Sequence, residues 1–237
     1  MFQYLVGLCA DTHRVWDCGT GSGQAAVALA EWFAQVDATD VSAQQIANAV
    51  PHERVRYSVQ PAERTGFSDR CFNLVTVAQA LHWFDLNEFW PEVHRVLRPG
   101  GIFAAWTYTT PFLSEELDAI VATRLLRVIK GHWAPQNQIA WDAYATIPFP
   151  FQELMPPQIA MQMTWNLWQF SAYLGTWSAT RRCIDANGAA FFDTFIGELE
   201  SAWGDPTTPR VVRMDFFCRV GRHVPSGAAV QHPTRTG

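Results

Sequence analysis

The sequence is poor in positive charge of the kind that contacts nucleic acid. Its 237 residues include 17 lysines and arginines against 22 aspartates and glutamates, and the formal net charge is −5. Lysine is nearly absent, with Lys130 the single example, and no basic run occurs. A protein that binds DNA or RNA needs a basic face for the phosphates, so the composition disfavours a nucleic-acid partner.

Long apolar runs and paired cysteine motifs are also missing. No run approaches the ~20 apolar residues of a membrane-spanning helix, and residues 1–6 lack the basic residues of a signal peptide. The five cysteines are scattered and show neither metal-ligand nor disulfide spacing. These absences predict reduced thiols, a cytoplasmic location, no metal site and no membrane partner. They do not indicate an oligomeric state.

Aromatic residues, by contrast, are abundant. The chain has 11 tryptophans and 16 phenylalanines, and hydrophobic residues make up 49% of it. This composition is typical of a globular protein with a sizeable core. The aromatic surplus also suits an apolar ligand cavity.

Up to residue 108, strand and helix patterns alternate. Apolar runs predict strands ending at Asp17 and spanning 36–40, 55–59, 72–78 and 102–108, while helical patterns cover 24–35, 42–48 and 85–97. Ser42 is a capping residue for the second helix, and Asp85 with Glu88 forms a capping-box pattern for the third. Pro91 means that this third helix either starts late or kinks. The alternation predicts a Rossmann-like α/β fold with helices on both faces of a mostly parallel sheet.

Beyond residue 108 the pattern changes. We expect helices over 114–130, from a capping box at Asn166 and Gln169 toward residue 177, and over 187–203, with strands over 159–165 and 210–220. The last strand would be antiparallel and would complete a seven-stranded sheet. We therefore predict a single domain over 1–221, with a helical and aromatic cap inserted at about 111–158 and a flexible tail over 222–237.

The strongest functional signal is a glycine loop directly after the first strand. Glycine occupies every second position at Gly19, Gly21 and Gly23, just before a predicted helix. Such a loop brings bare backbone and free helix N–H groups close to a ligand. Asp40 ends the second strand about 20 residues later, where an acid can accept hydrogen bonds from ribose hydroxyls. A plain strand-to-helix turn would not require this combination.

The spacing also discriminates between nucleotides. From Gly19, the pyrophosphate pattern G-x-G-x-x-G/A requires glycine or alanine at residue 24, which is glutamine. From Gly21 the third position is Ala26, but Gly23 would then be the middle glycine and the match is only formal. No P-loop pattern is present. D-x-G-x-G-x-G with a distal aspartate instead resembles the class I S-adenosylmethionine-dependent methyltransferases.

That resemblance extends from about residue 15 to residue 108 and includes later stretches. Residues 79–84 (Gln-Ala-Leu-His-Trp-Phe) and 176–179 (Thr-Trp-Ser-Ala) are similar to the small-molecule branch that includes trans-aconitate methyltransferase, and residues 97–101 match the turn before strand 5 of the superfamily. The resemblance implies S-adenosyl-L-methionine as cofactor. The residues that it implies in cofactor binding are Asp17, Cys18, Gly19, Thr20, Gly21, Gly23, Asp40, Val41, Gln45, Ala62, Glu63, Gln79 and Ala80.

The implied reaction is methyl transfer to oxygen or carbon of a small molecule, for which a carboxylate acceptor would need no base. Two alternatives stay open. One is a nicotinamide-dependent oxidoreductase. The other is a non-catalytic protein of this fold without a complete N-terminal lid, because only a short stretch precedes Asp17 where relatives carry closing helices. A truncated or misassigned start would produce the same short stretch.

Candidate acceptor-side residues each have a second interpretation. His82 follows strand 4 and is the best candidate for a general base, or else a packed histidine. Trp83, Phe84 and Trp106 are candidate walls of the acceptor cavity. Trp133 either lines that cavity or belongs to the core of the cap, and Arg181 either anchors a substrate carboxylate or lies at a solvated helix end.

Overall fold

The computed structural model describes residues 1–224. Its strands are β1 (Arg14–Cys18), β2 (Gln35–Asp40), β3 (Val55–Val59), β4 (Phe72–Ala78), β5 (Leu97–Tyr108), β6 (Gln152–Leu154), β7 (Ala160–Trp165) and β8 (Arg210–Arg222). Its α-helices are α1 (Phe2–Leu8), α2 (Gln24–Leu29), α3 (Ala43–Ala47), α4 (Leu86–Val96), α5 (Glu115–Ile120), α6 (Arg127–Ile129), α7 (Asn137–Trp141), α8 (Leu167–Thr176), α9 (Ser178–Asn187) and α10 (Ala190–Trp203). Within this part of the chain, no helix is long and apolar enough to cross a bilayer.

The sheet has the strand order β3-β2-β1-β4-β5-β8-β6, and β7 pairs with β8 beside that path. The neighbouring pairs β3–β2, β2–β1, β1–β4 and β4–β5 are all parallel. β8 runs antiparallel to β6 and β7. The predicted α/β fold, with a mostly parallel sheet and an antiparallel last strand, is therefore confirmed. The eighth strand is β6, which lies in a stretch for which no strand was predicted.

The order of the strands determines where a ligand can bind. The chain moves outward from β1 to β2 and β3, and then returns to the other side of β1 with β4. In such open sheets ligands bind outside the carboxyl ends of the strands, where the order reverses. In the register of β1, Asp17 lies beside Ala38 of β2 and Thr76 of β4. The ends of β1, β2 and β4 therefore share one edge.

The chain divides into two compact units. The first contains residues 1–107, 142–157 and 217 onward, and the second contains 108–141 and 158–216. This division differs from the cap expected at 111–158, because 142–157 belongs to the first unit and the second continues to residue 216. Of the expected tail, 225–237 lies outside the described residues. Arg222 still belongs to β8, and the backbone of His223 exchanges hydrogen bonds with Gly100 and Gly101.

The first unit is built on buried strands. β4 is buried along six of its seven residues, as expected for a central parallel strand. Trp16 of β1 is fully buried, stacks on Phe72 and donates its indole N–H to the hydroxyl of Thr39 at 2.9 Å. That hydrogen bond satisfies the one polar group of the ring. The result is a rigid platform beneath the strand ends.

The second unit has a helical core. Its buried cluster is apolar and is contributed mainly by the helical run from α5 to α6, by α8 to α10 and by β8. Ser114 caps α5 by accepting the N–H of Leu117, and Asn166 forms the predicted capping box with Gln169. The middle of the first run, residues 121–126, is π-helical rather than α-helical.

Several element boundaries were predicted wrongly. The helix expected over 24–35 ends at Leu29, because β2 already begins at Gln35. The helix expected over 187–203 begins three residues later, as α10 at Ala190, because Gly188 adopts φ +82° and ends α9 at Asn187. α1 and most of α9 were not predicted. α4 begins at Leu86 with Pro91 inside it, so a late start at Pro91 is excluded.

Candidate functional site

The glycine loop between β1 and α2 depends on its glycines for geometry. Gly19, Gly21 and Gly23 have φ values of +67°, +57° and +86°, which side-chain-bearing residues rarely adopt. A Cβ atom at Gly19 would stand 2.7 Å from Cβ of Ala80, and one at Gly23 would overlap the hydroxyl of Tyr57. At Gly21 the same position meets no atom within 4 Å. The loop therefore packs closely at both ends and leaves bare backbone beside open space in the middle.

Asp40 braces this loop from the end of β2. Its Oδ2 accepts the N–H of Gly21 at 2.9 Å, and its Oδ1 accepts the N–H of Ser42 at 2.8 Å. Each carboxylate oxygen can accept a further hydrogen bond. The two amide contacts therefore fix the orientation of the carboxylate without using its full capacity.

Asp17 supports the loop from below. It is fully buried, and its carboxylate accepts the hydroxyls of Thr20 at 2.5 Å and Thr76 at 2.9 Å. Burial raises the pKa of Asp17 to about 6, against the lowering effect of those two hydrogen bonds. The structure thus places this predicted cofactor residue beneath the loop, where it holds Thr20 and the end of β4.

A cavity of about 340 Å³ opens beside the loop. It brings together six of the predicted cofactor residues, two of the predicted acceptor residues and two residues that the sequence analysis missed. In that order, these are Gly19, Asp40, Val41, Ala62, Glu63 and Ala80, then Trp83 and Phe84, and finally Gln60 and Pro61. Both missed residues directly follow β3. Their place at the carboxyl end of a parallel strand was the available signal.

The two walls of the cavity are tied together by Glu63. Its Oε1 accepts the N–H of Asp85, the capping residue of α4, at 3.0 Å. Asp85 in turn accepts the N–H of Asn87. Asp85 therefore caps α4, but the capping box predicted with Glu88 is wrong, because the Asp85 side chain accepts the N–H of Asn87 and Glu63 takes the N–H of Asp85.

Other predicted cofactor residues do not line this cavity. Cys18 is buried in β1, Gln45 is exposed on α3, and Thr20, Gly21 and Gly23 shape the loop itself. Gln79 has a positive φ of +55°, and its Oε1 accepts the hydroxyl of Thr107 at 2.9 Å. A non-glycine residue in this conformation is strained, and such residues cluster at functional sites.

His82, the predicted base, is buried behind the cavity. Only 7% of its surface is exposed, and its Nδ1 lies 3.4 Å from the hydroxyl of Tyr144. Burial lowers the pKa of His82 to about 4, which makes the imidazole a weak base. Trp106, a predicted wall residue, is also buried and packs edge-on against Phe2 of α1.

Trp133 and Arg181 both belong to the second unit. Trp133 packs against the rings of Trp141 and Trp177, with centroids 5.4 and 5.8 Å away. Arg181 is exposed on α9. The packing of Trp133 agrees with the interpretation that it is part of an aromatic core.

Comparison with known proteins gives one consistent family. Residues 16–105 match the family described as a methyltransferase domain. A solved structure from Anaeromyxobacter dehalogenans, assigned as a type II methyltransferase, is 39% identical, superposes with a TM-score of 0.86, and is matched over 94% of this chain and 95% of that chain. A protein of Dictyostelium discoideum assigned as a methyltransferase is 32% identical over 173 residues, 72% of this chain.

This chain matches only part of the length of the curated relatives. The aligned part of this chain spans 66% of the Dictyostelium discoideum protein. It spans 44% of an uncharacterised methyltransferase of Bacillus subtilis, which is 30% identical over 110 residues. The family match over residues 16–105 contains the glycine loop and strands β2, β3 and β4.

Proposed function

This chain is a member of the class I S-adenosylmethionine-dependent methyltransferases, and we propose that it transfers a methyl group to oxygen or carbon of a small-molecule acceptor. The observation that carries the proposal is the cavity beside the glycine loop, which is lined by the oriented carboxylate of Asp40 and by Gly19 of the loop. A nicotinamide-dependent oxidoreductase is not favoured, because the relatives are methyltransferases.

The residues present fit an adenosyl cofactor. Asp40 retains acceptor capacity for two ribose hydroxyls, and the backbone at Gly21 meets open space rather than a side chain. Val41, which is 75% exposed, and Ala62 offer apolar surface for the adenine. When bound, S-adenosylmethionine supplies a methyl group already activated by its sulfonium sulfur. The protein therefore has mainly to align the reactants, which can contribute on the order of 7–11 kcal/mol.

The described residues that line the cavity include no histidine or lysine that could act as a general base, so we propose an acceptor that is already a nucleophile. The ionisable side chains of the cavity are Asp40 and Glu63, and each accepts at least one main-chain N–H. His82, behind the wall, is buried and weakly basic. An acceptor that is anionic at neutral pH, such as a carboxylate, needs no proton removed. The rings of Trp83 and Phe84 suit an acceptor with an apolar body.

The test is transfer of labelled methyl from S-adenosylmethionine to a metabolite extract. We expect label in the small-molecule fraction, and we expect alkali to release it as methanol, because a methyl ester is hydrolysed by base whereas a C-methyl group is not. Label that appears only in protein or nucleic acid would overturn the small-molecule acceptor. Binding of S-adenosylhomocysteine without any transfer would indicate a non-catalytic protein of this fold.

A further inference from the structure

The cavity wall that carries Trp83 is backed by His82, for which the proposed chemistry has no use. The His82 ring lies 4.8 Å from the ring of Trp83, centroid to centroid. On another side it lies 6.2 Å from the ring of Tyr144, with the two planes 28° apart. His82 thus contacts both a cavity-lining ring, which is 48% exposed, and a fully buried one.

Tyr144 is held in an unfavourable backbone conformation. Ala143 and Tyr144 have φ values of +54° and +59°, and neither is glycine. Residues in this region persist only where the surrounding structure imposes the conformation, and they cluster at functional sites. Here the conformation brings the Tyr144 hydroxyl to 3.4 Å from Nδ1 of His82.

Arg219 of β8 supplies the restraint. Its Nη1 donates to the carbonyl oxygens of Tyr144 at 3.1 Å and Ile147 at 2.7 Å. Its guanidinium lies 4.3 Å from the centroid of Phe149, and its Nε donates to Glu153 at 3.0 Å. These contacts fix the side chain of Arg219, which can therefore hold the strained turn in one conformation.

We propose that His82 is a positioning residue: together with Tyr144, whose turn Arg219 restrains, it holds the ring of Trp83 in place as a wall of the cofactor cavity. This proposal rests on the proposed function in one respect, namely that the cavity binds S-adenosylmethionine. It replaces the role of general base that the sequence suggested. Because the His82 imidazole stays neutral near pH 7, its Nδ1 can accept the Tyr144 hydroxyl.

The experiment is a double-mutant cycle read by calorimetry with S-adenosylhomocysteine. We expect His82→Ala to raise the Kd about three- to tenfold, the range of one lost aromatic contact. Trp83→Ala should raise it at least as much. If His82 acts through Trp83, the double variant should bind no more weakly than Trp83→Ala alone. Effects that multiply would overturn the proposal.

Variants that retain an aromatic ring at residue 82 distinguish a positioning role from base catalysis. His82→Phe retains the ring but not the nitrogen, so we expect a Kd within about threefold of wild type and retained methyl transfer to the extract. A catalytic base would instead lose transfer while S-adenosylhomocysteine affinity stayed the same. Tyr144→Phe should raise the Kd by about two- to threefold. His94→Phe, which changes another half-buried histidine of the first unit, is the matched control and should change nothing.

These outcomes also separate the two proposals. Wild-type protein that fails to bind S-adenosylhomocysteine would contradict the proposed function. Wild-type binding combined with independent effects of His82 and Trp83 would contradict only the role of His82. If His82→Ala does not fold, His82→Phe and Tyr144→Phe still decide, because both preserve the volume of the buried site. An unchanged Kd in Tyr144→Phe together with lost transfer in His82→Phe would overturn the positioning role.

Discussion

In the first unit, the turn after β1 buries the carboxylate of Asp17 and keeps three glycines at positive φ. In the second unit, the core consists of apolar side chains, most of them on helices, such as Phe195, Leu199 and Trp203. Apolar burial stabilises a fold, whereas a buried carboxylate and a left-handed backbone cost free energy. The glycine loop therefore has features that cost free energy, as is typical of ligand-binding turns, whereas the helical core stabilises the fold.

The largest effect on stability should come from truncating a buried side chain in the helical core. Phe195 is 1% exposed, so Phe195→Ala should lower the free energy of unfolding by about 3–5 kcal/mol through lost burial and a new cavity. Denaturant unfolding measures this, and calorimetry of the folded fraction should show unchanged affinity for S-adenosylhomocysteine. A large loss of affinity would mean that the two regions do not have separate roles.

The next largest effect should come from a substitution at Gly23, which packs against the side chain of Tyr57. Gly23→Ala would place a methyl group where the Tyr57 hydroxyl lies, at φ +86°. We expect S-adenosylhomocysteine to bind at least ~100-fold more weakly, a loss of about 3 kcal/mol. In the Tyr57→Ala background the same substitution should cost clearly less, because the overlap is gone. An equal cost in both backgrounds would contradict the packing argument.

Asp17→Asn should stabilise the protein at high pH. Burial raises the pKa of Asp17 from 3.8 to about 6, so the folded protein binds this proton more tightly than the unfolded chain. The stability associated with the proton is present below pH 4 and is lost as the pH rises to 6, by roughly 3 kcal/mol. Asparagine carries no charge, so urea unfolding should show a gain of ~2 kcal/mol at pH 8.

That gain should shrink toward pH 4, where Asp17 is itself neutral. A gain of the same size at both pH values would show that the charge of Asp17 is not its cause. A loss of stability at pH 8 would mean that the hydrogen bonds from Thr20 and Thr76 outweigh the cost of burying the carboxylate.

Asp40→Ala should weaken cofactor binding and leave the core of the protein intact. It removes the acceptor for ribose hydroxyls, a charge-assisted contact worth about 1.5–3 kcal/mol, so the affinity measured by calorimetry should fall by about one to two decades. Glu53→Ala is the control, because it removes the same charge from a side chain that is 82% exposed in the same unit. Equal affinities of the two variants would exclude the assigned role of Asp40.

The smallest expected effect is a gain in the free energy of unfolding. Gly197 lies inside α10 without a positive φ, and a Cβ there would meet no atom within 4 Å. Gly197→Ala should therefore stabilise the protein by about 0.5–1 kcal/mol, as expected for alanine in a helix, and raise the melting temperature. Destabilisation would show that this glycine, like those of the loop, has a close-packing role.

Much of the first unit could be predicted from the sequence. The glycine loop, the strand ends at Asp17 and Asp40, and the caps at Ser42 and Asp85 depend on short-range signals, and the structure has all of these elements. What failed were properties set by distant neighbours. Glu63, from the loop after β3, takes the N–H that Glu88 was expected to take. The binding roles of the site residues stay predictions.

By itself, the sequence determined the family, the parallel α/β fold and the glycine loop after β1, because glycine spacing, strand periodicity and capping residues act over a few positions. Only the tertiary structure decided what surrounds that loop. It buried Asp17 beneath the loop, placed Gln60 and Pro61 in the cavity, and enclosed His82 between Trp83 and Tyr144. Burial and pKa depend on atoms brought together from distant parts of the chain, and no local pattern carries that information.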